Sequence, residues 1–335
     1  MTAGDRHPCM LREVWPFVDA HHRDGRPVVL ARLVDRDGPG ARPLGAAMAV
    51  AADGTWCGSI SGGCVEGSVL GAAREVLTDG VGRMLSMSPG DELAPWEAGP
   101  ACGGELRILL TPAPPDPVHT AITSALEHDA DLTIRIELRP PYSWSAATDS
   151  GGPIGSGPAY TELLTRRRRL VLAGATDLAA SVTVFAESVH YSVVIVDPRP
   201  AHLESGAFSR SARLIRGWPG EWLTANPLRG YDALIAVSHD PRIDDGALRA
   251  ALAGKAGFVA ALGSRATHAQ RIRRLSGTVG LERLTGPVGL DLGGITLAET
   301  ALSIVGELVA AGNGRTGGPL RRGTHPIHSR RIASA

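Results

Sequence analysis

Two cysteines stand where a thiol could do chemistry, because each has a glycine pair beside it. Gly62 and Gly63 precede Cys64, and Gly103 and Gly104 follow Cys102. The stretch 58–69, GSISGGCVEGSV, reads as a strand, a glycine turn and a helix opening at about Cys64. A thiol in a first helical turn feels the positive end of the helix dipole, and unpaired amides there stabilise a thiolate. Glu66 opposes this by adding negative charge nearby. The stretch 99–105, GPACGGE, puts Cys102 in a second glycine-rich loop that enters a strand. Glycines in such loops let backbone N–H groups come close to an anion or a bulky cofactor. Both cysteines could equally be small buried packing residues, and on the residues alone the two readings stay open. Cys9 and Cys57 lack the glycine frame and receive no chemical role. No two cysteines have C-x-x-C spacing, which weakens zinc and thioredoxin-like readings.

A second set of candidates lies in the carboxyl-terminal half, in loops that follow apolar runs. SHDPRIDD at 238–245 offers His239 as a base, ligand or capping residue. In GSRATHAQRIRRL at 263–275, Gly263, Ser264 and Arg265 open a helix whose N-terminus could hold a phosphate. PVGLDLGG at 287–294, with Asp291 and Gly293, leads into the last helix through another glycine turn. The first strand-turn-helix of this half reads GATDLA at 174–179, where a dinucleotide fingerprint would stand. Gly174 and Ala179 fit that fingerprint, but the Cβ of Thr176 would hold the backbone away from a pyrophosphate. Asp177 adds a carboxylate where a phosphate needs positive potential. Asp197 would suit a ribose hydroxyl or serve a turn. Conventional NAD(P) binding is therefore not expected.

The elements that must position these residues fall into two classes. The first half reads as α+β: strands at 27–34, 45–52 and 55–61 are separated by Gly, Pro and Asp turns. Val65, Val69, Ala72, Ala73, Val76 and Leu77 form one helical face, closed by Gly80. Strands at 105–111 and 131–138 follow. Between 139 and 168 the composition turns to Pro, Gly and Ser, which fits a flexible linker. The Arg166 to Arg169 run beside it reads as a solvated domain edge. The second half alternates strand and helix patterns, the mark of a doubly wound parallel sheet. Strands at 169–174, 192–197, 231–238 and 257–264 are nearly continuous apolar runs, as buried parallel strands are. An amphipathic helix covers 296–311. The expected fold class is thus α/β, with an N-terminal α+β domain at 10–138, the linker, a Rossmann-like domain at 169–312 and a disordered tail at 313–335.

Composition bounds the rest. A chain of 335 residues with 43% hydrophobic residues is long enough for two cores. Zero formal net charge provides no global field for nucleic acid or an anionic membrane. The start has no signal-peptide core, and no apolar run reaches the roughly 18 residues of a membrane span. A cytoplasmic location is expected, where thiols stay reduced and disulfides are rare.

SGGCVEGSV, followed by a helix, a strand and ACGGE, resembles the amino-terminal signature of the XdhC/CoxI family. VSHD, LGSR and VGLDLGG before a helix containing AETALSIVGEL resemble that family's carboxyl-terminal domain. The resemblance covers roughly residues 27–112 and 169–311. Departures are the missing Ser-x-Pro-Arg element within 38–48, GATDLA in place of GAGxxG, and Leu297 where proline is usual. The resemblance implies a non-catalytic maturation factor. It would bind molybdenum cofactor as molybdopterin or its cytosine dinucleotide, promote sulfuration by a cysteine desulfurase, and deliver the cofactor to the large subunit of a molybdenum hydroxylase. That client would be a xanthine dehydrogenase-like or CO dehydrogenase-like enzyme. Soft thiolates suit molybdenum–sulfur chemistry, so Cys64 and Cys102 are expected to face the metal or its sulfur, with Gly62, Gly63, Gly103, His239, Gly263, Ser264, Arg265, Asp291 and Gly293 around the cofactor. Self-association into a homo-oligomer is compatible with this. The competing readings are an NAD(P)-dependent oxidoreductase and an interaction module that binds the client enzyme but no small ligand.

Overall fold

The computed structural model describes residues 10–37, 42–88, 104–148, 158–205 and 207–323. The chain divides into two compact units, one of residues 7–166 and one formed chiefly by residues 167–335.

The first unit runs α1 (Met10–Arg23), β1 (Val28–Arg36), β2 (Ala47–Ala51), β3 (Trp56–Gly58), α2 (Glu66–Asp79), β4 (Arg83–Met87), β5 (Leu106–Pro112), α3 (Asp116–Glu127), β6 (Leu132–Glu137), β7 (Trp144–Ala147) and β8 (Ala159–Leu164). Five strands form an antiparallel sheet in the order β3-β2-β1-β5-β4. Its central strand β1 is buried from Val28 to Val34 because both faces are covered. Val29, Ala31 and Leu33 meet Val65, Val69, Ala73 and Val76 from the α2 side. Val28 and Leu30 meet Leu11, Val14, Trp15 and Val18 of α1 and Ile122 of α3. Period-2 alternation of side chains explains how one strand feeds two cores.

A second sheet, β7-β6-β8, is antiparallel and adds Leu132, Ile134 and Leu164 to the α1–α3 core. The linker expected at 139–168 therefore contains β7 and β8, which flank β6 on either side. Their Pro, Gly and Ser residues lie around the strands and hid two short runs, WSAA and AYTELL. Residues 149–157 lie outside the described residues. The fully buried Arg32 of β1 is tied to this sheet by an ion pair with Glu162 and a 3.4 Å hydrogen bond donated to Tyr160 Oη.

The second unit runs β9 (Arg168–Ala173), α4 (Asp177–Ser188), β10 (Tyr191–Asp197), α5 (Pro200–Leu203), β11 (Arg213–Arg216), α6 (Pro219–Ala225), β12 (Ala233–Ala236), α7 (Pro241–Ala253), β13 (Phe258–Ala261), α8 (Arg265–Arg274), β14 (Leu284–Thr285) and α9 (Leu297–Gly312). All six strands are parallel, in the order β11-β10-β9-β12-β13-β14. Counted from the first strand this is 3-2-1-4-5-6, the doubly wound order, with its switch point between β9 and β12. Val182, Ala186, Ile304 and Leu308 cover one face. Leu223, Leu248, Ala251 and Leu252 cover the other. The α/β class and the Rossmann-like second half expected from sequence are present. Of the tail, residues up to 323 are described: a short turn at Leu320–Arg322 follows, and Gly317 lies close against Leu290. Residues 324–335 lie outside the described residues. No helix among the described residues is long and apolar enough to cross a membrane.

Candidate functional site

The Cys64 loop is built around a carboxylate. The helix after it, α2, opens at Glu66 with Val65 as its cap, so Cys64 precedes the first turn by two residues. Glu66 Oε1 accepts hydrogen bonds from Ser59 Oγ at 2.7 Å and from the amides of Ile60, Ser61 and Gly62 at 3.1, 3.0 and 3.2 Å. Its Oε2 accepts from Ser61 Oγ at 2.7 Å and from the amides of Gly63 and Val65 at 2.9 and 3.2 Å. The amide of Cys64 itself donates to Ser61 Oγ at 2.9 Å. Gly62 and Gly63 have φ of 93° and 124°, values that favour glycine and turn the amides inward. Burial pushes the Glu66 carboxyl up, but the bonds from Ser59, Ser61 and Val65 outweigh it and hold it at about 2.

This overturns one expectation about the loop. Its amides converge on an anion as expected, but that anion is the chain's own Glu66, so they are not left to stabilise a Cys64 thiolate. The Cys64 side chain is half-buried against the α2-side core and in no disulfide. It therefore sits on a loop held at many points, with part of its surface open. Cys57 is also in no disulfide, and burial pushes its thiol up. Cys102 and Gly103 lie outside the described residues.

At the switch point of the second unit, the loops after β9 and β12 touch. Gly174 has φ of 112°, and a Cβ placed on it would lie 2.6 Å from Ser238 Cβ. Thr176 caps α4 by accepting a hydrogen bond from the Ala179 amide at 3.1 Å, which explains a threonine where a fingerprint glycine would stand. Asp197 is fully buried and already engaged. It accepts from the Ala175 amide at 2.7 Å and from the Arg199 guanidinium at 2.7 and 2.9 Å. Burial raises its carboxyl, but Arg199 and the Ala175 amide bring it below its ordinary value.

The remaining candidates occupy neighbouring loops at the same sheet edge. His239 is exposed, with φ of 62°, just after β12. Ser264 caps α8 by accepting from the Thr267 amide at 3.1 Å, and Arg265 is exposed at the first position of that helix. Asp291 and Gly293 lie exposed in the loop before α9, whose capping box joins Thr296 and Glu299. Beneath these loops are groups that reading the sequence missed. Asp244 Oδ1 accepts from Ser238 Oγ at 2.6 Å, and Asp244 Oδ2 lies 3.6 Å from Arg271 Nη2. Both residues are buried. Burial pushes the Asp244 carboxyl up and the Arg271 guanidinium down. They are 27 positions apart, so no local pattern marks them as a pair.

Two family models match the chain: the XdhC and CoxI family at residues 21–88 and the XdhC Rossmann domain at residues 170–308. The chain belongs to the XdhC and CoxI family. The first match contains the Cys64 loop and the second the loops after β9, β12, β13 and β14, so the resemblance carried by SGGCVEGSV, VSHD and LGSR holds. Among curated relatives of this XdhC-type chain, the "Molybdenum cofactor insertion chaperone PaoD" of Escherichia coli (strain K12) is 27% identical over 91% of this chain and 89% of its own length. A protein of Bacillus subtilis (strain 168) described as a probable xanthine dehydrogenase subunit is 26% identical over 88% and 96%. A crystal structure titled as a xanthine dehydrogenase from Bacillus halodurans matches with a TM-score of 0.77 at 22% identity, covering 90% of this chain and 96% of that one. At that identity the match speaks for the fold.

Proposed function

We propose that this XdhC-type chain is a maturation factor for a molybdenum hydroxylase, with molybdenum cofactor as its cargo. The observation that carries the reading is the Cys64 loop: a half-open thiol on a loop fixed to Glu66 by five backbone amides and two serine hydroxyls. A fixed thiol suits a soft metal or an exchangeable sulfur, because ligands held in place bind without a large ordering cost. In this reading Cys64 and Cys102 face the metal or its sulfur, and Gly263, Ser264 and Arg265 hold the phosphate, with His239, Asp291 and Gly293 on the flanking loops. The cofactor is molybdopterin or its cytosine dinucleotide, sulfurated with a cysteine desulfurase and passed to the large subunit of the client. The relatives' names support a role in molybdoenzyme maturation. Co-expression with cofactor biosynthesis, followed by elemental analysis of the purified chain, tests it. Molybdenum should co-purify with the wild type and be lost from a Cys64→Ser, Cys102→Ser double variant; equal retention in both overturns the cysteine role.

The oxidoreductase reading requires a dinucleotide at the β9 turn. There the Thr176 cap, the contact of Gly174 with Ser238 and the pairing of Asp197 with Ala175 and Arg199 occupy the groups that would be needed. These contacts favour the chaperone reading. The client-only interaction module would bind no molybdenum, so the same elemental analysis separates it.

A further inference from the structure

We propose that Arg271 is the buried cation of an oxyanion site at the start of α8, shaped for a phosphate group. This rests on the reading that the Gly263–Arg265 loop receives the cargo's phosphate, and it adds the charge that would bind it. The helix is ten residues long, and its Ser264 cap takes up only the Thr267 amide. The amides of Arg265 and Ala266 are first-turn groups that have no partner within a helix. Arg271 returns from the second turn beneath that loop. Its Nη2 donates to the Leu262 carbonyl at 2.9 Å, at the end of β13. Its Nη1 lies 3.8 Å from the position a Cβ on Gly263 would occupy, beside the Thr267 side chain, which is 3.1 Å from the same position.

This guanidinium is 2% exposed, yet Nε and Nη1 have no hydrogen-bond partner. Native structures rarely leave a buried charged donor unmet, and an absent ligand is one explanation. Asp244 does not meet the need. Its Oδ2 stands 3.6 Å away, beyond hydrogen-bond length, and is itself without a partner. Asp244 Oδ1 is committed to Ser238. On the same helix face His268 Nδ1 is also buried and unpartnered, against Gly286 in the loop after β14. Unmet polar atoms thus gather under the loops that follow β12, β13 and β14, the edge where open α/β sheets bind ligands. An oxyanion on the α8 amides would supply the acceptors that Arg271 Nε and Nη1 lack, with Arg265 closing over it from solvent. Asp244 then serves as the internal counter-ion when the site is empty.

The test is calorimetry on the full chain with inorganic phosphate and, in parallel, cytidine 5′-monophosphate. If phosphate alone is recognised, both bind the wild type; tighter nucleotide binding shows that the base is read as well. Arg271→Met combined with Asp244→Asn removes both buried charges together, a change that folded proteins tolerate, and should weaken phosphate binding at least tenfold. In the wild type, phosphate should also shift the NMR resonance of the Arg271 Nε–H, a readout that needs no variant to fold. Wild-type affinity in the double variant, with loss of binding in Arg265→Asp, overturns the role of Arg271 and leaves the phosphate loop standing. Failure of the wild type to bind either ligand overturns both.

Discussion

Replacing Glu66 by glutamine probes the claim that the Cys64 loop is organised by a carboxylate. The amide keeps one acceptor oxygen but turns the other position into a donor. If that position is Oε2, the amides of Gly63 and Val65 lose their acceptor. Hydrogen bonds to a charged group contribute roughly 1.5–3 kcal/mol each. The same bonds hold the carboxyl at about 2 in the folded chain against an ordinary 4.5, a difference that corresponds to roughly 3 kcal/mol. Glu66→Gln should therefore destabilise the first unit by about 3 kcal/mol at pH 7, the lower end of what two lost charged bonds would cost. The folded value lies below the unfolded one, so this stability is fully present above 4.5 and is lost as pH falls through about 2. Urea unfolding of the full chain, followed by tryptophan fluorescence between pH 7 and pH 2, measures it. The gap between wild type and variant should be widest at neutral pH and close toward the acid end. A gap below about 0.5 kcal/mol at pH 7, the scatter of ordinary surface substitutions, or one unchanged at pH 2, refutes the carboxylate-centred loop.

Other contacts make independent predictions. Gly174→Ala puts a methyl 2.6 Å from Ser238 Cβ at a φ of 112°, and should lower the midpoint of chemical unfolding of the second unit by an amount equivalent to about 2 kcal/mol or more. Glu162→Leu strands the buried Arg32 guanidinium and should cost about 3–5 kcal/mol in the same assay, much of it recovered by adding Arg32→Met. Calorimetry with NADH and NADPH should register no binding to the wild type, and Thr176→Gly should not create it, because Asp197 stays occupied by Ala175 and Arg199.

Much of the second unit was legible because its central strands are continuous apolar runs. LVLA, VVIV, ALIA and FVAA can be little other than buried parallel strands. The edge strand β11, RLIR, escaped because most of it is exposed, and β14 because it has only two residues. In the first unit α1 went unread; it carries Pro16 inside a helix, where proline usually signals a break. Strands β7 and β8 were concealed by composition, since proline, glycine and serine around them looked like a linker. Gly62, Gly63 and Cys64 stand out by type and spacing, but Glu66 reads in sequence only as an adverse charge. The spacing of Ser59 and Ser61 ahead of a first-turn glutamate was the available signal, and its meaning depends on the loop closing back on the helix. Asp244 and Arg271 had no such signal, because the sheet alone brings them together.

The central claim is that a fixed thiol at Cys64 holds molybdenum-bearing cargo. The most direct measurement is the molybdenum content of the full chain purified after co-expression with cofactor biosynthesis, for the wild type and for Cys64→Ser alone. The account predicts molybdenum on the wild type and at least a tenfold loss in the variant, with the unfolding midpoint unchanged. Equal molybdenum on both proteins, or none on the wild type, would contradict it.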